Sequence, residues 1–384
     1  MTPPPAAAET SQPRASAPPR MPAKQMMAVS IKSLVSNVLG RVGGAGAGGN
    51  DGAGKVKSGL TELFAKTDPA VDGDECLHDC SSCTVRYPRA FKIDEEDLLY
   101  GQVKAWSTHV LVATGKADWV RDVADEKGSV MEAIGKADAP TNGKLMLSAS
   151  NMPTPHDTTD YSEPTTLLLL PAFTLVRNAV PANVPTLIND LINRAPTTMS
   201  ALQPANIPPT LPGPDPSIPA LITRPCPHQA VILMCSQRTR DARCGQSAPL
   251  LRKELERHLR PLGLYRDLHD ERPGGVGIYF ISHVGGHKYS ANVMVYRRRN
   301  AFGQDDVDDD DSNNNKSNDN GSGNGEGEGE GEGDAGAAQG IWLARVRPED
   351  CENLVRYTVL KGKVVKPESQ LRGGFDRMRG LTSW

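Results

Sequence analysis

The 384-residue sequence has no apolar run approaching the ~20 residues of a helical membrane span, so it reads as a soluble chain. It also lacks the cysteine pattern of a secreted disulfide framework. Its seven cysteines are odd in number and fall in short-range groups that suit ligation, which points to a reducing compartment and makes the cytoplasm the expected location. Glycoside hydrolysis needs two positioned carboxylates, and no such pair stands out. Glu254 and Glu256 read as lying on an exposed helix face, and the densest acidic run belongs to a low-complexity loop. No C-x-x-C closes the Val231–Met234 strand, as a thiol oxidoreductase would require. Gly49 to Lys55 nearly matches a phosphate-binding loop, but Val56 replaces the required Ser or Thr and no strand precedes it. The chain is therefore not expected to be a classical enzyme, and neither a nucleic-acid partner nor a membrane span is expected.

The net charge of −3 conceals an uneven distribution. Residues 304–339 carry twelve acidic side chains against Lys316 alone, which leaves the remainder of the chain at +8. Residues 1–70, rich in Pro, Ala, Ser and Gly, read as a disordered tail. Within that tail Ile31, Leu34, Val35, Val38, Leu39 and Val42 have helical spacing, and only Glu9 is acidic before Asp51. Such a pattern resembles a mitochondrial presequence and makes the mitochondrion the alternative location.

Residues 71–195 read as a smaller N-terminal α/β domain, with short apolar strands at 109–113, 145–147 and 167–170 and helical spacing over 184–192. A Pro-rich linker is expected at 196–227. Residues 228–384 read as a second domain. Its pattern is a buried strand Ala230–Met234, a helix over 248–260 capped by Ser247, strands at 277–282, 292–296 and 341–346, and a closing helix at 350–360. Strand–helix–strand followed by antiparallel strands and a helix is the order of a thioredoxin-like domain, so the expected class is α/β (α+β). The acidic segment 304–339 falls between two strands, where only a loop lengthens.

Chemistry concentrates in two elements, Cys235-Ser-Gln-Arg-Thr-Arg-Asp-Ala-Arg-Cys244 and His283-Val-Gly-Gly-His287. Two thiols and two imidazoles are enough to fill one metal or iron–sulfur site. Arg238, Arg240 and Arg243 favour the thiolate that metals require. Gly285 and Gly286 speak against a helical His pair, and the absence of Glu from the pattern excludes the metalloprotease motif. Two thiolates and two imidazoles could hold Zn²⁺ in a tetrahedron or a [2Fe–2S] cluster with one iron on histidines, and spacing does not decide between them. Basic residues from Arg238 to Arg297-Arg298-Arg299 could dock an acidic electron donor or form a solvated face. Cys76-x3-Cys80-x2-Cys83 has radical-enzyme spacing without the alternating strands and helices that such a barrel needs. An auxiliary zinc site with His78, or free thiols at a domain edge, are the alternatives.

The run Cys-Ser-x-Arg-Thr-Arg-Asp-x-Arg-Cys-Gly from Cys235, then Gly-Leu-Tyr-Arg-Asp at 263–267, His-Val-Gly-Gly-His-Lys at 283–288, Ala-Asn-Val at 291–293 and Trp342 resembles the sucrase/ferredoxin-like family. Within it, the chain looks most like fungal thioredoxin-like ferredoxins of the actin-patches-distal type. The resemblance implies a bis-histidinyl [2Fe–2S] cluster on Cys235, Cys244, His283 and His287, electron transfer or redox sensing, and a part in redox homeostasis and stress tolerance. A zinc-stabilised interaction module without redox activity is the competing reading.

Overall fold

The computed structural model of the chain describes residues 56–57, 59–305 and 334–384. The apolar stripe at 31–42, the glycine-rich run at 49–55 and the body of the acidic segment lie outside the described residues. Order begins before residue 71. Leu60–Leu63 is a short helix, and Leu63 and Phe64 are buried in the core.

The first half contributes strands β1 (Thr108–Ala113), β2 (Leu145–Ser150), β3 (Thr165–Leu170) and β4 (Thr174–Ala179). Helix α1 (Val130–Lys136), capped by Ser129, connects β1 to β2. Helical turns over Val184–Thr186, Leu187–Leu191 and Ile192–Arg194 follow, and the Pro-rich stretch contributes the strand β5 (Leu221–Pro225) beside β4. The second half repeats the plan. It has β6 (Ala230–Cys235), α2 (Ala242–Leu259), β7 (Val276–Ile281), β8 (Val293–Arg297) and β9 (Gln339–Leu343), then helical turns at Cys351–Asn353 and Leu354–Val359, and β10 (Leu371–Asp376).

Both halves pair their strands in the same way. β1 runs parallel to β2, with β3 and then β4 antiparallel on its other side. β6 runs parallel to β7, with β8 and then β9 antiparallel on its other side. That order and those directions are thioredoxin-like, and they occur twice. The two parts join where β2 and β7 meet antiparallel at Ser150 and Ile281, within one large mixed sheet. The α/β class is thus observed, dominated by strands.

Burial on both faces explains why β6 reads Ala-Val-Ile-Leu-Met-Cys without alternation. Ile232 and Met234 pack under α2 with Leu251 and Leu255. Val231 and Leu233 face the other way, into a layer shared by both halves that holds Leu111, Leu168, Tyr279, Met294 and Trp342. Within this layer His109 of β1 meets the Tyr296 hydroxyl of β8 at 3.1 Å and Ser148 at 2.9 Å.

Three local expectations need correcting. Helix α2 starts at Ala242 and not after Ser247, because Asp241 caps it, accepting from the Arg243 amide at 2.9 Å. Ser247 instead donates back to the Cys244 carbonyl. Glu254 is buried, not on an exposed face, and pairs with Arg257. Arg297 is buried and bound to Asp305, while Arg298 binds Asp334, so these two arginines hold the two ends of the acidic segment between β8 and β9 and do not form an open docking face.

Candidate metal centre

The C-terminal end of β6 delivers Cys235, and the first turn of α2 delivers Cys244. Both thiols are buried, at 2 % and 0 % exposure. The helix N-terminus carries partial positive charge, which favours a thiolate at Cys244. His283 follows the last residues of β7, and its amide donates to Gln237 Oε1 at 2.8 Å. The Gln237 amide in turn donates to the carbonyls of Trp119 and Val120. The first half of the chain thereby braces the loop that carries the second half's ligand candidates.

Gly285 and Gly286 adopt φ of +92° and +71°, turning the chain back so that His287 begins a short 3₁₀ turn. Arg372 clamps this turn by donating to the Gly285 carbonyl at 3.1 Å and to Asn292 Oδ1 at 2.8 Å, while Asn292 donates to the Gly286 carbonyl at 2.9 Å. A Cβ on Gly286 would stand 2.7 Å from the Arg372 guanidinium.

The ligand atoms of Cys235, Cys244 and His283 all lie within 4.8 Å of one another, with His283 Nδ1 3.9 Å from the Cys235 sulfur. His287 stands one step further out. Its Nδ1 is 3.4 Å from His283 Nε2, its Nε2 is 3.8 Å from Asp241 Oδ2, and its side chain is 40 % exposed. Thiols thus occupy the buried side and imidazoles the solvent side.

The Cys244 thiol is drawn below its ordinary value by its hydrogen bond with Cys235, aided by His283 and by Ser290, whose hydroxyl is 3.4 Å away. The same bond, with burial, pushes Cys235 up. One sulfur of the pair therefore sheds its proton readily while the other retains it. Burial, then the neighbouring His283, lowers His287, which keeps the ring neutral and its lone pair available. Sequence reasoning did not single out Gln237, Ser290, Asn292 or Arg372 as supports of the site. Asp241 and Asn292 do stand inside the motifs that carry the family resemblance.

Ala113 stands at the end of β1 where Cys235 stands at the end of β6, so that strand end offers no thiol. Thr114, just beyond β1, accepts from the Trp119 indole at 2.9 Å. The other cysteine group is not at a loose edge, since Cys76, Cys80 and Cys83 are all buried.

A thioredoxin-like strand end that gathers two thiols and an imidazole, with a second imidazole beside them, defines a class of protein with a Cys/His donor set able to hold a metal. The chain belongs to the sucrase/ferredoxin-like family, whose model matches residues 99–373. It is 30% identical to actin patches distal protein 1 of Saccharomyces cerevisiae over 258 residues, covering 61% of this chain and 76% of the yeast protein. Altered inheritance of mitochondria protein 32 of Clavispora lusitaniae is 27% identical over 139 residues, which are 36% of this chain and 33% of that protein. The protein of the same name from Debaryomyces hansenii is 28% identical over 136 residues, 35% of this chain and 33% of its own length. No solved structure matches.

Proposed function

We propose that this protein is an electron-transfer or redox-sensing protein carrying a [2Fe–2S] cluster on Cys235, Cys244, His283 and His287. The observation that carries the reading is the sorting of the donors: buried thiols lie on one side and solvent-facing imidazoles on the other, with three ligand atoms inside 4.8 Å. A [2Fe–2S] cluster held this way supplies one-electron transfer at a potential above that of an all-cysteine cluster, because neutral imidazoles replace anionic thiolates. The residues around it orient the ligands and handle a proton. Gln237 and Arg372 fix the two ends of the loop that carries both histidines, and His287 Nε2 faces both solvent and the Asp241 carboxylate, a place where a proton can rest on reduction. Arg238, exposed on the loop between the two cysteines, offers an acidic partner a point of approach beside the site.

This role belongs to redox homeostasis in the cytoplasm. The mitochondrial wording in the names of several relatives favours testing the mitochondrion as the alternative. The deciding experiment is optical and EPR spectroscopy of anaerobically purified full-length protein beside the His283→Ala variant. A red-brown wild type whose reduced EPR signal changes in the variant is expected. A colourless protein holding stoichiometric zinc would instead establish the interaction-module reading, and a variant spectrum identical to wild type would remove His283 from the ligand set.

A further inference from the structure

A second group of metal-ligating side chains lies well away from the first. Cys80 is buried in the N-terminal segment, His258 stands in the last turn of α2, and Glu352 stands in the turn Cys351–Asn353. Their ligand atoms all lie within 4.8 Å of one another, with the Cys80 sulfur 3.8 Å from His258 Nε2. His258 is fourteen residues beyond Cys244 on the same helix, about 21 Å along its axis at ~1.5 Å per residue. The group therefore shares nothing with the first centre. His78, the fourth ligand the sequence suggested, is exposed, and it meets this junction through its backbone carbonyl, which accepts from Asn353.

We propose that Cys80, His258 and Glu352 form a zinc site that fastens the N-terminal segment to α2 and to the closing helical turns. The place between these ligands is taken by a cationic side chain, the Arg257 guanidinium, with Nη2 3.3 Å from the Cys80 sulfur and 3.0 Å from His258 Nε2. Zinc binding therefore requires that guanidinium to swing aside onto buried Glu254, which already holds it at 2.8 Å. A thiolate, an imidazole and a carboxylate are a donor set for a borderline-soft ion. Calcium and magnesium would require oxygen ligands throughout. Cys83 gives its thiol to the Val85 carbonyl at 3.3 Å, so three protein ligands are at hand and water would complete the tetrahedron, unlike the closed four-ligand structural zinc sites. The three ligands come from segments far apart in sequence, and backbone contacts such as the Cys80 amide to the Glu349 carbonyl at 3.0 Å already hold the segments of this junction together.

The test uses full-length protein produced with added zinc and passed over a chelating resin, with zinc and iron counted by mass spectrometry. One zinc per chain is expected in wild type, in Cys226→Ser, which alters a buried thiol belonging to neither group, and in Cys244→Ser, which disables the first centre. Near-complete loss is expected in Cys80→Ser and His258→Gln, with their iron content unchanged as evidence of an intact fold. Cobalt(II) titrated into zinc-free wild type should give the visible absorption of a tetrahedral thiolate site, absent from Cys80→Ser. Wild type that holds no zinc and gives no cobalt band overturns the proposal. Zinc that survives both Cys80→Ser and His258→Gln, or that disappears in Cys244→Ser, overturns it as well.

Discussion

At the scale of single residues, the proposed centre relies on the turn at Gly286 as well as on its four candidate ligands. An Ala there would have to adopt the left-handed region, at about 1–3 kcal/mol, with its Cβ against the clamped Arg372 guanidinium. Gly286→Ala is expected to lower the urea-unfolding free energy by about that amount and to disturb the spectrum of the proposed cluster. Unchanged spectra would mean that the turn does not position His287. The imidazoles also make a pH prediction. If His283 and His287 hold the proposed cluster, a free ring nitrogen on either is more basic when the centre is reduced, reduction takes up a proton and the potential falls as pH rises. Voltammetry that returned a flat potential between about pH 6 and 9 would contradict that coupling, since histidine titrates in this range.

At the scale of elements, helix α2 links stability to the site. Asp241 caps its first turn and also lies 3.8 Å from His287 Nε2. Asp241→Ala should cost about 0.5–2 kcal/mol by exposing the first-turn amides. Asp241→Asn retains a capping oxygen and removes the charge. The Asn variant should therefore melt close to wild type while the potential loses part of its pH dependence, and a melting loss equal to that of Ala would show that the cap works through charge rather than hydrogen bonding. The same helix explains a gap in the sequence reading. Arg238 to Arg243 resemble a solvated loop, yet Cys244 lies inside the helix, because one Asp side chain starts it earlier than the apolar periodicity at Leu251, Leu255 and Leu259 would suggest.

At the scale of the whole molecule, two units of the same topology share an apolar layer, and polar groups buried within the fold set its acid stability. His109 is pushed down to about 3 by burial. His228, whose Nε2 meets the Tyr279 hydroxyl at 2.9 Å, is pushed down to about 4 by burial and then by Arg266. Both are neutral when folded, whereas the unfolded chain protonates them below about pH 6.5. The unfolded state then binds more protons, so stability rises with pH through this window and falls as pH drops from 6.5 toward 4, by about 1.4 kcal/mol per pH unit for each histidine. Replacing His109 with Gln should reduce the slope of unfolding free energy against pH by about one proton between pH 4 and 6. An unchanged slope would place the titration elsewhere.

The amino-acid sequence by itself determined the α/β class, the strands β1, β2, β3, β6, β7, β8 and β9 and the four Cys/His candidates, but not β4, β5 or β10. The reason is that continuous apolar strands and ligand motifs are local patterns, whereas those three strands carry Arg, Asn, Pro or Gly. Only the tertiary structure decided how those patterns meet. The repeated topology depends on strand order, and the clamp on the glycine turn brings Arg372 to Gly285 across 87 residues. Arg297 looked like surface charge until a carboxylate eight residues on was found to pair with it in the core. The cluster of Cys80 with His258 and Glu352 joins three segments that no short motif connects. Contacts between residues distant in sequence leave no periodicity to read, since they are selected by the packing of whole elements and not by neighbouring side chains.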